Sequence, residues 1–259
     1  MKVLVIGDVV GRPGRDMVRD HVKPLRRQRA IDLIVANVEN AAAGFGLTPP
    51  IAEDFFSWGV DVLTSGNHIY DKKEIVGYIA QTARLLRPAN YPPQSPGSGL
   101  FVGKTPKDIP YAVINLQGRI FMPPSDCPFQ TAQDILEKIP SEVKVRIVDM
   151  HGEATSEKQA MGWYLDGKVS AVVGTHTHVP TADECILPRG TAFLCDIGMS
   201  GPYDSVIGVD KDQIVQKFID QMPRRFETAS GDPRFSSVLI DVDESTGRAR
   251  SIERLVIRG

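Results

Sequence analysis

The first third of the chain alternates between short apolar runs and segments with helical periodicity. Runs rich in β-branched residues occupy residues 2–7, 32–38 and 60–66. Continuous apolar runs of this length predict strands that are buried on both faces. Helices are predicted between them, over residues 13–25 and 48–58. Because strand–helix–strand units cross over with a right hand, the carboxyl ends of all three strands should lie at one edge of a sheet.

The rest of the pattern predicts a second, mixed sheet with its own helices. Strands are expected at 111–116, 143–150 and 169–174, a hairpin at 182–187 and 191–196, and final strands at 235–242 and 248–257. Helices are expected at 71–80, 131–139, 156–165 and 211–222, and loops at the proline-rich residues 91–99 and 122–129. In the helix 156–165, Glu157 and Lys158 are expected to be exposed. Because no linker or repeat divides the pattern, we expect one α/β domain over residues 1–259.

Composition narrows the class of protein. Of the 259 residues, 42% are hydrophobic and 24% are charged, as in ordinary soluble domains. No apolar run reaches the ~20 residues that a membrane span requires. The net charge of −2 gives no basic footprint for long nucleic acid, and we interpret the arginine-rich stretch 12–29 as a solvated helix face. Three widely spaced cysteines and an amino terminus without a secretory apolar region favour the reducing cytoplasm. The oligomeric state stays open.

Histidines mark the ends of the predicted strands. Four of the five follow an apolar run, whereas His21 lies in a helical pattern. The four are His68, His151 and the pair His176 and His178. Parallel strands bring their carboxyl ends to the edge where α/β sheets place their chemistry. Since imidazole is a common ligand of transition metals, this placement predicts a metal site.

Polar residues at the other strand ends complete the predicted ligand set. The candidate metal ligands are Asp8, Glu39, Asn40, Asn67, His151, His176 and His178. One tetrahedral ion needs three or four ligands, so the surplus predicts two ions that share a bridging carboxylate, for which Glu39 is our candidate. None of the seven candidate ligands is a cysteine, which argues against a structural zinc site. Three histidine ligands are not typical of Mg²⁺ or Ca²⁺. Mn, Fe, Co, Ni or Zn would suit the set.

The charge of such a centre indicates its substrate. Two divalent ions against two carboxylates leave a positive excess of about two charges, and a bridging hydroxide removes one of them, so the centre attracts an anion. Ions roughly 3.5–4 Å apart can clamp a phosphate while a hydroxide held between them attacks in line. The leaving alkoxide then needs a proton. His68, next to the candidate ligand Asn67, is our candidate proton donor.

Other interpretations of the same residues stay open. Taken singly, Asp8, Asn40 and Asn67 are also typical turn residues, and Glu153 is expected to be a capping or surface carboxylate. The glycines of the first loop are spaced GxxxGxxG, which does not match the GxGxxG pattern of a dinucleotide site. The same centre would also serve a phosphomonoesterase or nucleotidase. Outside enzymes, the alternative is a nucleotide- or RNA-binding regulator whose metal site is not catalytic.

The motifs resemble, in order, those of the calcineurin-like metallophosphoesterases. The signatures GD, GNH, H and GxHxH of that superfamily match Gly7-Asp8, Gly66-Asn67-His68, His151 and residues 174–178. Together they span residues 7 to 178 of the chain.

Two departures from the superfamily point to one of its branches. Val10 stands where the first motif usually has a histidine, and the second motif has Glu39-Asn40 in place of its usual aspartate. Together with residues 7–14, 39–48 and 199–202, these departures make the chain resemble the YmdB-like branch of the superfamily over nearly its whole length. In that branch, Asn40 would replace the missing imidazole.

The resemblance to this branch implies a fold, a centre and an activity. The implied fold is a four-layer αββα sandwich of two mixed sheets flanked by helices. The implied centre is dinuclear, of iron or manganese type, and the implied activity is that of a phosphodiesterase on a small substrate, notably 2′,3′-cyclic nucleotides. One metal would take Asp8, Glu39, Asn40 and His178. The other would take Glu39, Asn67, His151 and His176, with His68 as the proton donor.

Overall fold

Two mixed β-sheets pack face to face in this protein, and helices cover their outer faces. The structure is a computed structural model that describes Met1–Gly259. The strands are β1 (Lys2–Ile6), β2 (Asp8–Val9), β3 (Leu33–Asn37), β4 (Val62–Thr64), β5 (Leu100–Lys104), β6 (Pro110–Gln117), β7 (Val145–His151), β8 (Ala171–Thr175), β9 (Cys185–Ile186), β10 (Ala192–Leu194), β11 (Met199–Pro202), β12 (Pro233–Val242) and β13 (Ala249–Arg258). The helices are α1 (Gly11–Arg29), α2 (Pro49–Trp58), α3 (Ile75–Ile79), α4 (Pro128–Lys138), α5 (Thr155–Leu165) and α6 (Lys211–Asp220).

Each sheet has a parallel section with antiparallel strands beside it. The first sheet has the order β2-β11-β12-β1-β3-β4, with β13 paired to β12. In it, β1, β3 and β4 run parallel, as predicted from the two crossover units. The second sheet has the order β5-β6-β7-β8-β10-β9, in which β6, β7, β8 and β10 run parallel. The carboxyl ends of β7 and β8 lie side by side because His151 is in register with Thr175.

Alternate residues of β1 enter two different apolar cores. Val3 and Val5 share a core with Val113 and Ile147 of the second sheet, so this core lies between the sheets. Leu4 and Ile6 share another core with residues of α1, α2 and α3. A third core joins the second sheet to α4 and α5. This arrangement confirms the four-layer αββα sandwich, and burial of both strand faces explains the continuous apolar runs in the sequence.

The prediction that Glu157 and Lys158 are exposed is wrong. Both face the second sheet from α5, with exposed fractions of 7% and 1%. Glu157 accepts hydrogen bonds from the backbone N–H groups of Arg119 and Ile120. Lys158 Nζ lies 2.8 Å from Asp196 Oδ2. The two side chains are therefore buried because each one has a charged or polar partner inside.

Several element boundaries also differ from the prediction. The helix expected at 71–80 is the short α3, and Asp71 does not cap it. Instead Asp71 contacts His68, so its carboxylate serves another partner. Strands β2, β5 and β11 were not predicted from the sequence, which indicated a loop where β2 lies. None of the six helices combines the length and the apolar composition that a membrane crossing requires.

Candidate metal centre

The eight predicted site residues lie in one cleft between the two sheets, at or just after the carboxyl ends of β1, β3, β4, β7 and β8. The residues from the first sheet are Asp8, Glu39, Asn40, Asn67 and His68, and those from the second are His151, His176 and His178. Close approach of the two groups requires a glycine at position 66. A Cβ there would lie 2.1 Å from Nε2 of His151, so any side chain would displace that ring.

Three of the predicted ligands converge on one nitrogen atom of a fourth. Nε2 of His151 lies 3.0 Å from Glu39 Oε1, 3.1 Å from Asn67 Oδ1 and 3.1 Å from His176 Nδ1. One ligand atom each from Glu39, His151 and His176 falls within a mutual distance of 4.8 Å. Oxygen and imidazole donors at this spacing surround a space in which a transition-metal ion fits.

Three buried oxygen atoms beside this cluster have no hydrogen-bond partner. They are Oδ1 of Asp8, Oε1 of Glu39 and Oδ1 of Asn40, and all three belong to predicted ligands. The one close contact of Glu39 Oε1 is with Nε2 of His151, and it does not have the geometry of a hydrogen bond. An unsatisfied buried polar group costs about 1–3 kcal/mol, and more when it is charged. A cation would satisfy all three, so the donor set fits a metal centre on the evidence of its own unpaired oxygens.

A hydrogen-bonded network fixes the ring of His151. Its Nδ1 lies 2.9 Å from Oγ1 of Thr175, and that hydroxyl donates to Asp149 Oδ1 at 2.7 Å. The single hydrogen of this hydroxyl is used on Asp149, so the hydroxyl oxygen accepts a hydrogen bond from Nδ1–H of His151. The hydrogen of the neutral ring is then on Nδ1, and the lone pair of Nε2 is free for a metal. Asn37 and Thr64 also donate to Asp149. Such outer partners orient metal-binding imidazoles and set their tautomer.

The other two histidines are oriented by separate acceptors. His178 Nδ1 donates to the carbonyl of Ile207 at 2.7 Å, which leaves Nε2 free. His176 Nε2 lies 3.3 Å from a carboxylate oxygen of Glu153, which leaves Nδ1 directed at the cluster. Glu153 is exposed, as expected for a surface carboxylate, and it also orients a candidate ligand.

The charges of the cluster are strongly coupled. Burial opposes ionisation of Glu39, but the charge of His151 and the backbone N–H of His68 lower the pKa of Glu39 to about 2. Burial likewise opposes protonation of His151, but Glu39 and Asp8 raise its pKa to about 9. Burial raises the pKa of Asp8 to about 6. Burial and the charge of His151 lower the pKa of His176 to about 3. Without a metal, Glu39 and Asp8 thus favour a second proton on His151, and a cation bound at Nε2 would take the place of that proton.

His68 sits at the edge of the cluster with two different contacts. Its backbone N–H donates to Glu39 Oε2 at 2.9 Å, and its ring Nδ1 lies 2.8 Å from Asp71 Oδ2. Phe45 packs edge-on against the ring, with centroids 5.0 Å apart. Sequence reasoning did not find the role of Asp71, although its position three residues after His68 is a signal for such a contact. The pair has the orientation that a proton-transferring imidazole requires.

A cavity of about 500 Å³ opens over the cluster. Its lining includes Glu39, Asn40, His68, His176 and His178, together with apolar side chains such as Phe218 and Phe226. A larger and more open groove of about 1130 Å³ lies beside it and contains none of the predicted ligands. The two share Phe45, Phe226, Glu227 and Thr228. The chemistry of the donor set therefore selects the smaller cavity as the candidate site.

The fold and this cleft define the class of protein. An αββα sandwich with carboxylates, amides and imidazoles at its strand ends has the architecture of a metallophosphoesterase. The chain belongs to the YmdB-like protein family, whose model matches residues 4–255. This confirms the family resemblance that the sequence motifs indicated.

Proteins similar to this chain include one with a named activity. The 2′,3′-cyclic-nucleotide 2′-phosphodiesterase of Bacillus subtilis strain 168 is 48% identical over 258 residues, which span 99% of this chain and 97% of the relative. A crystal structure of a hypothetical protein from Thermus thermophilus has a TM-score of 0.94 and 39% identity, with 100% of this chain and 99% of that chain covered. A crystal structure titled as a novel phosphatase from Mycoplasma pneumoniae has a TM-score of 0.94 and 32% identity, with 100% and 93% covered.

Proposed function

We propose that this protein is a phosphodiesterase with a two-metal centre that hydrolyses 2′,3′-cyclic nucleotides. The observation that carries the proposal is the convergence of three donor side chains on Nε2 of His151, next to three unpaired buried oxygens. The activity named for the Bacillus subtilis relative supports the substrate class. Iron or manganese suits the mixed oxygen and imidazole donors, and Zn, Co and Ni are the other metals to test.

The ligand assignment follows the contacts in the cleft. The first ion would be held by Glu39, Asn67, His151 and His176, which already surround one space. The second would be held by Asp8, Glu39, Asn40 and His178. Three of these residues carry the unpaired oxygens, and His178 keeps Nε2 free. Glu39 is assigned to both sets because it precedes Asn40 in the chain and its Oε1 lies 3.0 Å from Nε2 of His151.

The protein residues around the centre would complete the reaction. Bound ions would polarise a phosphoryl oxygen and lower the pKa of a coordinated water. As water adds to phosphorus, the bond from phosphorus to the 2′ oxygen breaks, and that oxygen leaves as an alkoxide. His68 would give it the proton held at Nε2, because Nδ1 is occupied by Asp71. The product is a nucleoside 3′-monophosphate with a free 2′-hydroxyl.

Metal analysis combined with turnover tests this proposal. We expect the protein, after purification without chelators, to contain close to two transition-metal ions per chain and to hydrolyse adenosine 2′,3′-cyclic phosphate. The monoester adenosine 3′-monophosphate should be a much poorer substrate, which separates the proposal from a phosphomonoesterase. Nucleotide binding without turnover in the metal-loaded protein would contradict the proposal and favour a regulator. We also propose a cytoplasmic location, which the three free thiols support and cell fractionation tests.

A further inference from the structure

The cavity over the metal cluster has a lining of two kinds. One part carries the candidate ligands and His68. The other part is apolar and comes from the segment that includes α6. We call Val209, Ile214, Phe218 and Phe226 the apolar wall. These four side chains offer no hydrogen bond to phosphate or ribose, and the neighbouring Glu227 and Thr228 are the polar residues that the same segment adds to the lining.

The apolar wall is exposed to an extent that needs an explanation. Phe218 is 80% exposed, and no residue of α6 is buried. Ile207, at the same cavity, is 51% exposed. Exposed apolar side chains that line a cavity beside a polar cleft are typical of a ligand-binding site.

Local contacts hold the apolar wall in position without help from the core. Val209 forms an antiparallel bridge with Thr228, which joins the two ends of the segment. The side chain of Asp210 caps the first turn of α6. Lys217 places its Nζ 4.6 Å from the centroid of the Phe226 ring. These contacts fix the segment and the ring of Phe226 before any ligand arrives, which lowers the entropy lost on binding.

The size and shape of the cavity favour a small flat occupant over a protein partner. A volume of about 500 Å³ lies within the ordinary range for small-molecule sites. A stable protein interface buries about 800 Å² on each partner and needs an extended surface. A nucleobase has two apolar faces, and it is joined through ribose to the phosphate that the polar part of the cavity would bind.

We propose that the apolar wall receives the nucleobase of the substrate by stacking and apolar contact. This inference rests on the proposed function and specifies its substrate class. Because every base has a stacking face, purine and pyrimidine 2′,3′-cyclic nucleotides should be hydrolysed with kcat/KM values within about 10-fold of one another. A cyclic phosphate without a base should be a poorer substrate.

The test compares two substrates in the metal-loaded enzyme. The measured quantity is kcat/KM for adenosine 2′,3′-cyclic phosphate divided by kcat/KM for methyl ribofuranoside 2′,3′-cyclic phosphate, which has no base. We expect Phe218→Ala and Phe226→Ala each to lower this ratio about 10-fold, with the loss in KM for the nucleotide. The matched control is Phe121→Ala, because Phe121 is 89% exposed but does not line the cavity. It should leave the ratio unchanged.

The outcomes separate this inference from the proposed function. If the wild type hydrolyses both substrates equally well, or if the wall variants keep the wild-type ratio, the inference is overturned and the proposed function stands. A change in oligomeric state on gel filtration with an unchanged ratio would identify the wall as a contact between copies of the chain, which also overturns it. If neither substrate is hydrolysed, the proposed function fails. Calorimetric binding of adenosine 3′-monophosphate then decides: about 10-fold weaker binding by Phe218→Ala supports the wall, and equal binding overturns it.

Discussion

At the scale of single residues, the backbone and the side chain of His68 have separate tasks. The N–H group donates to Glu39, whereas the ring contacts Asp71. Removal of the ring therefore leaves the hydrogen bond to the candidate bridging ligand in place. This separation allows proton donation to be tested without loss of the metal centre.

We expect His68→Ala to retain the wild-type metal content and to lower kcat for adenosine 2′,3′-cyclic phosphate about 10²–10⁴-fold, which is the range for loss of a general acid. The loss should be much smaller for bis(p-nitrophenyl) phosphate, because p-nitrophenolate leaves without a proton. Asp71→Asn should cause an intermediate loss, since the ring is kept but its orienting charge is removed. His21→Ala is the control, because His21 of α1 packs against Phe235 of β12 and does not line the cavity. Equal losses on both substrates would contradict the proton-donor role.

The positions of the candidate ligands could be predicted from the sequence, but their outer partners could not. Asp8, Glu39 and His151 each stand where an apolar run ends, and parallel strands bring such ends together. Thr175 and Asp149 lie within the strands β8 and β7. Nothing in their own surroundings distinguishes them from ordinary strand residues. Their contact depends on the register of neighbouring strands, which a sequence pattern does not specify.

At the scale of elements, the loop after β8 has a strained backbone and is held by the ion pair of Lys158 with Asp196, which we call the clamp. His176 and His178 have positive φ angles of 102° and 64°, which are unfavourable for residues other than glycine. Thr177 between them donates to Asp196 through its N–H at 3.2 Å and its hydroxyl at 2.8 Å. Lys158 donates to the same carboxylate oxygen at 2.8 Å. Lys158 and Asp196 therefore position both histidines without touching the metal cluster.

We expect Lys158→Met to destabilise the protein by about 3–5 kcal/mol, because it leaves the buried charge of Asp196 unpaired. At a temperature where circular dichroism shows the variant folded, its metal content should fall below that of the wild type, since the loop loses its anchor. The double variant Lys158→Met with Asp196→Asn should recover part of the stability but not the metal content. A thermal melt and metal analysis of the same samples measure both effects.

An exposed ion pair on α6 provides the control for this prediction. Lys211 lies 2.6 Å from Asp204, and both side chains are more than half exposed. Lys211→Met should change stability by about 0–1 kcal/mol and leave metal content unchanged. If Lys158→Met folds and binds metal like this control, the clamp has no positioning role.

The main elements could be predicted, and the errors have identifiable causes. Apolar runs identified the central strands of both sheets. In contrast, β5 is a largely half-buried edge strand that contains a glycine, and β2 and β11 have only two and four residues, so no long apolar run marks them. The error at Lys158 was avoidable. Lys158 precedes Met161 by three residues and Leu165 by seven, so helical periodicity places Lys158 on the buried face of α5. A charged residue on an apolar face is a signal for a buried partner.

At the scale of the whole molecule, the candidate metal centre joins the two sheets. The carboxylates Asp8 and Glu39 come from the first sheet, and the imidazoles of His151, His176 and His178 come from the second. Elsewhere the sheets share an apolar core, with a few hydrogen bonds such as those of Thr64 to Asp149 and of Ser65 with Asn115. Bound ions would therefore add polar links between two layers that otherwise interact mainly by burial of apolar surface.

Removal of the metals should accordingly destabilise the whole domain. Any species that binds only the folded state stabilises it by an amount that grows with its concentration relative to Kd, about 2.7 kcal/mol at 100 times Kd. For a chain of this size, we expect chelation to lower the Tm by roughly 5–10 °C, and re-addition of the native metal to restore it. Glu39→Ala should have a low Tm that does not respond to chelator or metal, because the residue proposed to contact both ions is gone. A chelated wild type with an unchanged Tm and a confirmed loss of metal would show that the ions do not link the sheets.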